Sequence, residues 1–157
     1  MVDLSGIKLS GKKIDLGGGE FPRQGFLNID NSTVNPINGH SYTPDIIHDL
    51  NEGIPFPDNF IDEVSSSHNL EHLKDPVFCL KEIVRVCKNG SKVTIIVPVH
   101  DLAPPYHLTD MSREWFLTNC PKELKLISTI SREKSVVDPV IGDRVFTELE
   151  VHYEVRK

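Results

Sequence analysis

Three consecutive glycines, Gly17–Gly19, stand between two acids, Asp15 and Asp30, in the stretch KKIDLGGGEFPRQGFLNID (residues 12–30). Glycine is costly to order, so a run of three directly after a buried strand implies a sharply bent backbone or one that a ligand must approach closely. Three ligand chemistries compete for such a turn. A phosphate-cradling loop needs GxxxxGK[ST], and the Lys and Ser are missing. A dinucleotide fingerprint needs GxGxxG opening a helix; Gly17 and Gly19 fit, but the third position is Pro22. The remaining reading is a nucleoside without a diphosphate, its amino-acid end lying against the glycine backbone. Asp30 favours that reading. An acid ending a second strand can accept two hydrogen bonds from ribose hydroxyls. It lies only thirteen positions after Gly17, whereas a crossover helix would put it about 20 residues on. EFPRQG is too short for that helix, so no full helix N-terminus is offered to a diphosphate.

The elements that would position these residues follow from short apolar runs. Strands are expected at 12–16, 25–29, 45–48, 60–65 and 92–98, the last, KVTIIVP, as a central strand buried on both faces. The alternating runs 124–132 and 144–155 read as a closing antiparallel pair. The clearest helix is 75–88, with Asp75 as its cap, Pro76 at its first position, an apolar stripe through Val77, Leu80, Ile83, Val84 and Cys87, and Gly90 as its stop. A helix between two strands is a crossover, hence parallel pairing. A shorter helix is expected over 112–118 with Ser112 as its cap. Residues 31–44 carry two prolines, an Asn-Gly pair and no helical period; they read as a loop that is either functional or a mobile surface connection.

The bulk numbers fit one domain over residues 1–157. A net charge of −6 disfavours a nonspecific nucleic-acid or anionic-membrane binder, which needs a basic field. No secretory leader or membrane-length apolar run is expected, and the three cysteines, Cys79, Cys87 and Cys120, are odd in number and form no CxxC pair. Reduced thiols in a cytoplasmic protein are the expectation, with buried structural roles for Cys79 and Cys87.

Several motifs in register resemble the class I S-adenosylmethionine-dependent methyltransferases, in their small branch with a short first loop. They are IDLGGGEFPRQGFLNIDN, then DIIHDLNEGIPFPDNFIDEVSSSHNLEHLKDPVFCLKEIVRVCKNGSKVTIIVP, together covering roughly residues 12–116. The resemblance implies an α/β, Rossmann-like, doubly wound, mostly parallel seven-stranded sheet with an antiparallel last strand and few helices. It implies S-adenosylmethionine as cofactor and methyl transfer to an O or N acceptor, a small molecule or a glycan-type substrate. It places the methionine portion on Asp15 and Gly17, Gly18 and Gly19, the ribose on Asp30, the adenine beside Asp49 and Leu50, and the floor of the site at Ser67. Gly18 stands where cysteine is common in that branch, which reads as a small change. Nothing after about residue 118 resembles an acceptor domain.

Two histidines are candidates for taking a proton from the acceptor: His68, ending the fourth strand, and His107, following the fifth. His100, Tyr106 and Trp115 could border the same crevice, against solvent-exposed or core-packing roles. His68 and His72 with Glu71 could bind a metal, but HExxH would require Glu where Asn69 stands. Glu71 and His72 are therefore read as tethers of the sheet edge, with no metal expected. Two rivals remain open: a cofactor-binding domain without transferase activity, acting as a partner or regulator, and a nicotinamide oxidoreductase, against which Pro22 argues.

Overall fold

A computed structural model describes residues 12–99, 107–137 and 142–157. His100 and Tyr106 lie outside the described residues. Seven strands form one sheet: β1 (Lys13–Leu16), β2 (Leu27–Asp30), β3 (Ile46–Ile47), β4 (Ile61–Ser67), β5 (Cys87–Val99), β6 (Leu124–Val136) and β7 (Arg144–Val155). Their order is β3-β2-β1-β4-β5-β7-β6. The first five are parallel, and β7 runs antiparallel to both β5 and β6. The order reverses between β1 and β4, so the crevice for a ligand opens at the carboxyl ends of those strands.

Among the described residues the two α-helices are α1 (Pro76–Val86) and α2 (Arg113–Asn119). Asp75 caps α1 by accepting from the Phe78 N–H, and Ser112 caps α2 by accepting from the Trp115 N–H, as the sequence implies. The expected end of α1 is too late. Helical conformation stops at Val86, and Cys87 turns directly into β5. Cys87 pairs with Ile61, and the register resumes at Glu63 with Lys92, so Lys88–Ser91 bulge out opposite Asp62. Gly90 serves this bulge, at φ +84°, rather than a helix cap. The Lys88 ammonium on Asp62 (2.6 Å) and the Ser91 hydroxyl donating to the Ile61 carbonyl (2.8 Å) hold it in place.

The sheet is wound unevenly. Pairing aligns Leu27–Ile14–Val64–Val93–Tyr153–Leu126 in one row and Ile46–Ile29–Leu16–Ser66–Ile95–Val151–Thr129 in another. These rows carry the core, to which α1 contributes Leu80 and Ile83 and α2 contributes Phe116. The alternate rows are polar. One reads Lys13–Glu63–Lys92–Glu154–Lys125, and the next Asn28–Asp15–Ser65–Thr94–His152–Ser128. The first is a ladder of alternating charge, closed at one end by a 2.8 Å Lys13–Glu63 pair. Opposite charges on neighbouring strands contribute about 0.2–1 kcal/mol per pair. Parallel sheets ordinarily need apolar cover on both faces; here the second face carries this ladder beside a polar row in which Asn28, Asp15, Ser65 and Thr94 are buried. The expectation that 92–98 is buried on both faces holds except at two positions: Val93, Thr94, Ile95, Val97 and Pro98 are buried, whereas Lys92 is exposed and Ile96 half-buried.

All three cysteines are free. Burial pushes the Cys79 and Cys87 thiols up to about 12, so neither supplies a thiolate near neutral pH. One side chain ties α1 to the segment before β4. The Arg85 guanidinium donates to the Ile54 and Phe56 carbonyls and pairs with Glu82 and Asp58, at 2.7–2.9 Å throughout. Glu82 in turn accepts the Ile54 N–H. Arg85→Ala removes the shared donor and is expected to lower unfolding stability by about 1–3 kcal/mol. A denaturant titration checks this: the midpoint falls while the slope stays constant.

Candidate active site

The β1–β2 connection crosses from one parallel strand to the next without a helix. Side chains replace it. The Gly17 N–H donates to the Ile29 carbonyl, Gly18 N–H to the Asn28 side-chain oxygen, and Gly19 N–H to Asp30 Oδ2 (3.0 Å). The Asn28 amide returns a bond to the Gly19 carbonyl (3.0 Å), and its own N–H is held by Asp45. Asp15 Oδ2 accepts the Arg23 N–H at 2.7 Å. Gly17 adopts φ +67° with the Asn69 side chain against it; a Cβ at 17 would lie 2.4 Å from Asn69 Oδ1. At Gly18 a Cβ would meet Asn28 Oδ1 at 2.6 Å and Asp15 Oδ2 at 2.8 Å, both pinned by hydrogen bonds. Glycine at 18 is thus required by its neighbours, and its difference from cysteine is not small. Gly19 faces open space.

Asp30 stands at the end of β2. Its Oδ2 takes the Gly19 N–H and its Oδ1 the Ser32 N–H (2.9 Å), and the Tyr42 hydroxyl interacts with the same carboxyl. Asp49 follows β3 and caps a 3-10 turn at Leu50–Glu52. The Asn51 backbone and side-chain N–H groups both bond Asp49 Oδ1 and hold the carboxyl below its ordinary range; Oδ2 remains for another donor. The Leu50 N–H opens the turn, where helical geometry provides no acceptor. Ser67 closes β4, abreast of the glycine turn, since Leu16 pairs with Ser66.

These residues fit a nucleoside with a cationic amino-acid end. Asp15 is 3% exposed, and its Oδ1 has no hydrogen-bond partner among the described residues. A buried carboxylate oxygen in that state calls for a donor, and it lies beneath the turn where the amino-acid end would rest.

His68 directly follows β4 at φ +50°, one of only two non-glycine residues in the left-handed region among those described. Holding it there costs about 1–2 kcal/mol. Its N–H donates to the Ile96 carbonyl, and its ring Nε2 lies 2.9 Å from Glu148 Oε2. Glu148 belongs to β7, whose antiparallel course brings its early residues to the carboxyl end of β5, with Glu148 opposite Pro98. His107 packs edge-on against His72, ring centroids 4.9 Å apart, and the Leu108 N–H donates to the Glu71 carbonyl. Both histidine candidates therefore border the β4–β5 end of the crevice. Trp115 packs edge-on against Phe116 and the core.

Four residues escaped the sequence reading: Asn28, Asn69, Glu148 and Glu20. Asn28 and Glu148 each left a signal, a polar side chain on an alternating strand at the end nearest the site. Glu20 organises the 31–44 loop. It accepts from the Asn35 and Asn38 amides and meets the His40 ring at 3.1 Å. The Asn38 and Asn35 amides, and then His40, hold its carboxyl below the ordinary 4.5. A depressed carboxyl stabilises the folded arrangement above its unfolded value, and that contribution is lost as pH falls through the folded value. The loop tie is expected to persist at pH 4.5 and release below it. The side-chain amide resonances of Asn35 and Asn38, followed by NMR against pH, check this; a transition at or above 4.5 contradicts it.

Residues 27–95 match the family model described as methyltransferase domain. Ajmaline N-methyltransferase of Rauvolfia serpentina is 42% identical over 52 residues, 32% of this chain and 18% of that protein. The matched segment thus spans under a fifth of that relative. A candidate methyltransferase of Bacillus halodurans C-125 superposes with TM-score 0.70 over 98% of this chain and 96% of its own, at 11% identity. An S-adenosylmethionine-dependent methyltransferase of Methanosarcina mazei does so with TM-score 0.65 over 96% and 95%, at 13% identity. No described helix is long and apolar enough to cross a membrane. The family model and the fold imply S-adenosylmethionine as the cofactor. In sequence over residues 27–95 and in fold over nearly its whole length, the chain resembles the class I S-adenosylmethionine-dependent methyltransferases.

Proposed function

We propose that the chain is an S-adenosylmethionine-dependent methyltransferase acting on an oxygen or nitrogen acceptor of small-molecule or glycan type. The observation that carries this reading is the glycine turn, clamped by Asn28 and Asp30, above the unpartnered buried oxygen of Asp15. When bound, the cofactor supplies an activated sulfonium methyl group; the protein's task is binding, alignment and proton handling. Asp15 and Gly17–Gly19 hold the amino-acid end. The Asp30 carboxylate accepts from the ribose hydroxyls. Asp49 Oδ2 accepts from the adenine amine, and the Leu50 N–H donates to a ring nitrogen. Ser67 forms the floor. Three acids around the site suit a cationic ligand.

His68 and His107 remain the candidates for accepting the acceptor's proton, and the geometry favours His68. With Nε2–H donated to Glu148, the tautomer is fixed and Nδ1 carries the lone pair. A positive charge formed there lies beside Glu148 and 3.7 Å from Glu71. This arrangement parallels the way a buried carboxylate orients a catalytic imidazole.

Two variants test the proposal. Asp30→Asn keeps an acceptor for one backbone N–H but loses the charge. It is expected to weaken S-adenosylmethionine binding by about 1.5–3 kcal/mol in calorimetry; unchanged affinity removes Asp30 from the site. His68→Ala is expected to lower single-turnover methyl transfer by about 10²–10⁴-fold, the usual worth of a general base, with cofactor affinity unchanged. A wild-type rate in that variant removes His68 as the base; a wild-type rate in His107→Ala as well leaves rate enhancement to alignment alone. Tight cofactor binding with no transfer to any acceptor would instead support the partner or regulator reading.

A further inference from the structure

The helix α2 has seven residues and the strand β6 thirteen. The helix is too short to cover the strand, and Leu124 is the one fully buried residue of β6. Leu126 on the strand and Leu117 on the helix are 39% and 62% exposed. Between these two elements lies a hollow of about 250 Å³. Leu124 and Leu126 of β6 form its floor with Val151 and Tyr153 of β7, and Phe116 and Leu117 form its wall. The rim is cationic. Arg113, Lys122 and Lys125 line it, all three are exposed, and no acid lines it among the described residues. None of the three is in an ion pair with a described residue. Glu154 stands opposite Lys125 in the sheet but pairs with Arg156 at 2.9 Å, and Glu123 lines a neighbouring hollow. In a chain of net charge −6, this is a local field opposite in sign to the whole.

We infer that the hollow binds a small amphipathic carboxylate, with a short apolar tail on the floor and the carboxylate at the cationic rim. Apolar floor and cationic rim each match one half of such a molecule. Ligand pockets commonly measure about 300–1,000 Å³, and this hollow lies just below that range, so the tail is short. An added peptide strand fits less well. The register of β6 shifts between Leu126 and Ser128, and Lys125, Arg132 and Lys134 stud the strand; both features oppose pairing along a sheet edge. The hollow also lies far from the crevice. Tyr153 pairs with Val93 near the start of β5, whereas the crevice opens beyond Val99, roughly 20 Å along the strand. Its occupant is therefore neither the cofactor nor the methyl acceptor, and the inference stands apart from the methyltransferase reading.

The experiment titrates sodium octanoate into the full chain by calorimetry, with acetate and 1-octanol as probes of the two halves. One octanoate per chain is expected. Acetate lacks the tail and octanol the charge, so each should bind at least about 10-fold more weakly. The double variant Lys122→Ala/Lys125→Ala should weaken octanoate about 10–100-fold, the worth of a charge-assisted contact; far-UV circular dichroism is its folding control. Amide NMR of the unmutated chain is the second readout. Octanoate should shift Leu117, Leu126 and Tyr153 and leave Gly17–Gly19 in place. Absence of saturable binding, octanol binding as tightly as octanoate, unchanged affinity in the folded double variant, or shifts confined to the crevice would overturn the inference.

Discussion

Joining parallel neighbours β1 and β2 without a helix is the constraint on which the rest of this structure depends. A crossover helix normally provides backbone order and a positive N-terminal dipole beside the ligand. Here Asn28, Asp30 and Asp15 take over the ordering. They satisfy the N–H groups of Gly18, Gly19 and Arg23, so that ten residues hold one bend. The dipole has no substitute. What the turn offers instead is glycine backbone flanked by carboxylates, which favours a cationic ligand over a phosphorylated one. The same economy forces glycine at 18, because the two side chains that hold the turn occupy the space a Cβ would need.

The missing helix also shapes the sheet. With α1 and α2 feeding one core, the described residues of the opposite face are matched by charge and hydrogen bonding instead of apolar packing. The Lys13–Glu63–Lys92–Glu154–Lys125 row runs across parallel and antiparallel pairs alike. The row nearest the site is polar for a different reason. Asn28 and Asp15 belong to it, so the side chains that clamp the glycine turn continue the polar pattern of this face and, like Ser65 and Thr94, are themselves buried. The antiparallel β7 then carries Glu148 back to the strand ends, where it meets His68.

Local features were legible in the sequence because local physics fixes them. Asp75 with Pro76 and Ser112 mark helix starts, and the alternation over 124–132 and 144–155 marks a paired ending. The absence of a helix in EFPRQG follows from Pro22, Gly25 and length. The end of α1 was not legible, because Gly90 would serve a helix cap or a bulge equally well and only the register of Ile61 with Cys87 decides between them. The partners of the site histidines were hidden for a related reason. His68 meets Glu148 across 80 residues, and His72 meets His107 from a segment far along the sequence. Neither spacing has a motif. The 31–44 loop was placed correctly as a loop, but its fastening to Glu20 depends on three side chains whose convergence only the fold creates.

The central claim is that the clamped glycine turn and Asp30 hold the amino-acid and ribose parts of one adenosyl ligand. A crystal structure of the chain with S-adenosylhomocysteine tests it most directly. The account predicts ribose hydroxyls within hydrogen-bond distance of both Asp30 oxygens, with the amino-acid end over Gly17–Gly19 and its ammonium group satisfying Asp15 Oδ1 directly or through one water. Ligand density elsewhere, or a ribose beyond hydrogen-bond reach of Asp30, would contradict it.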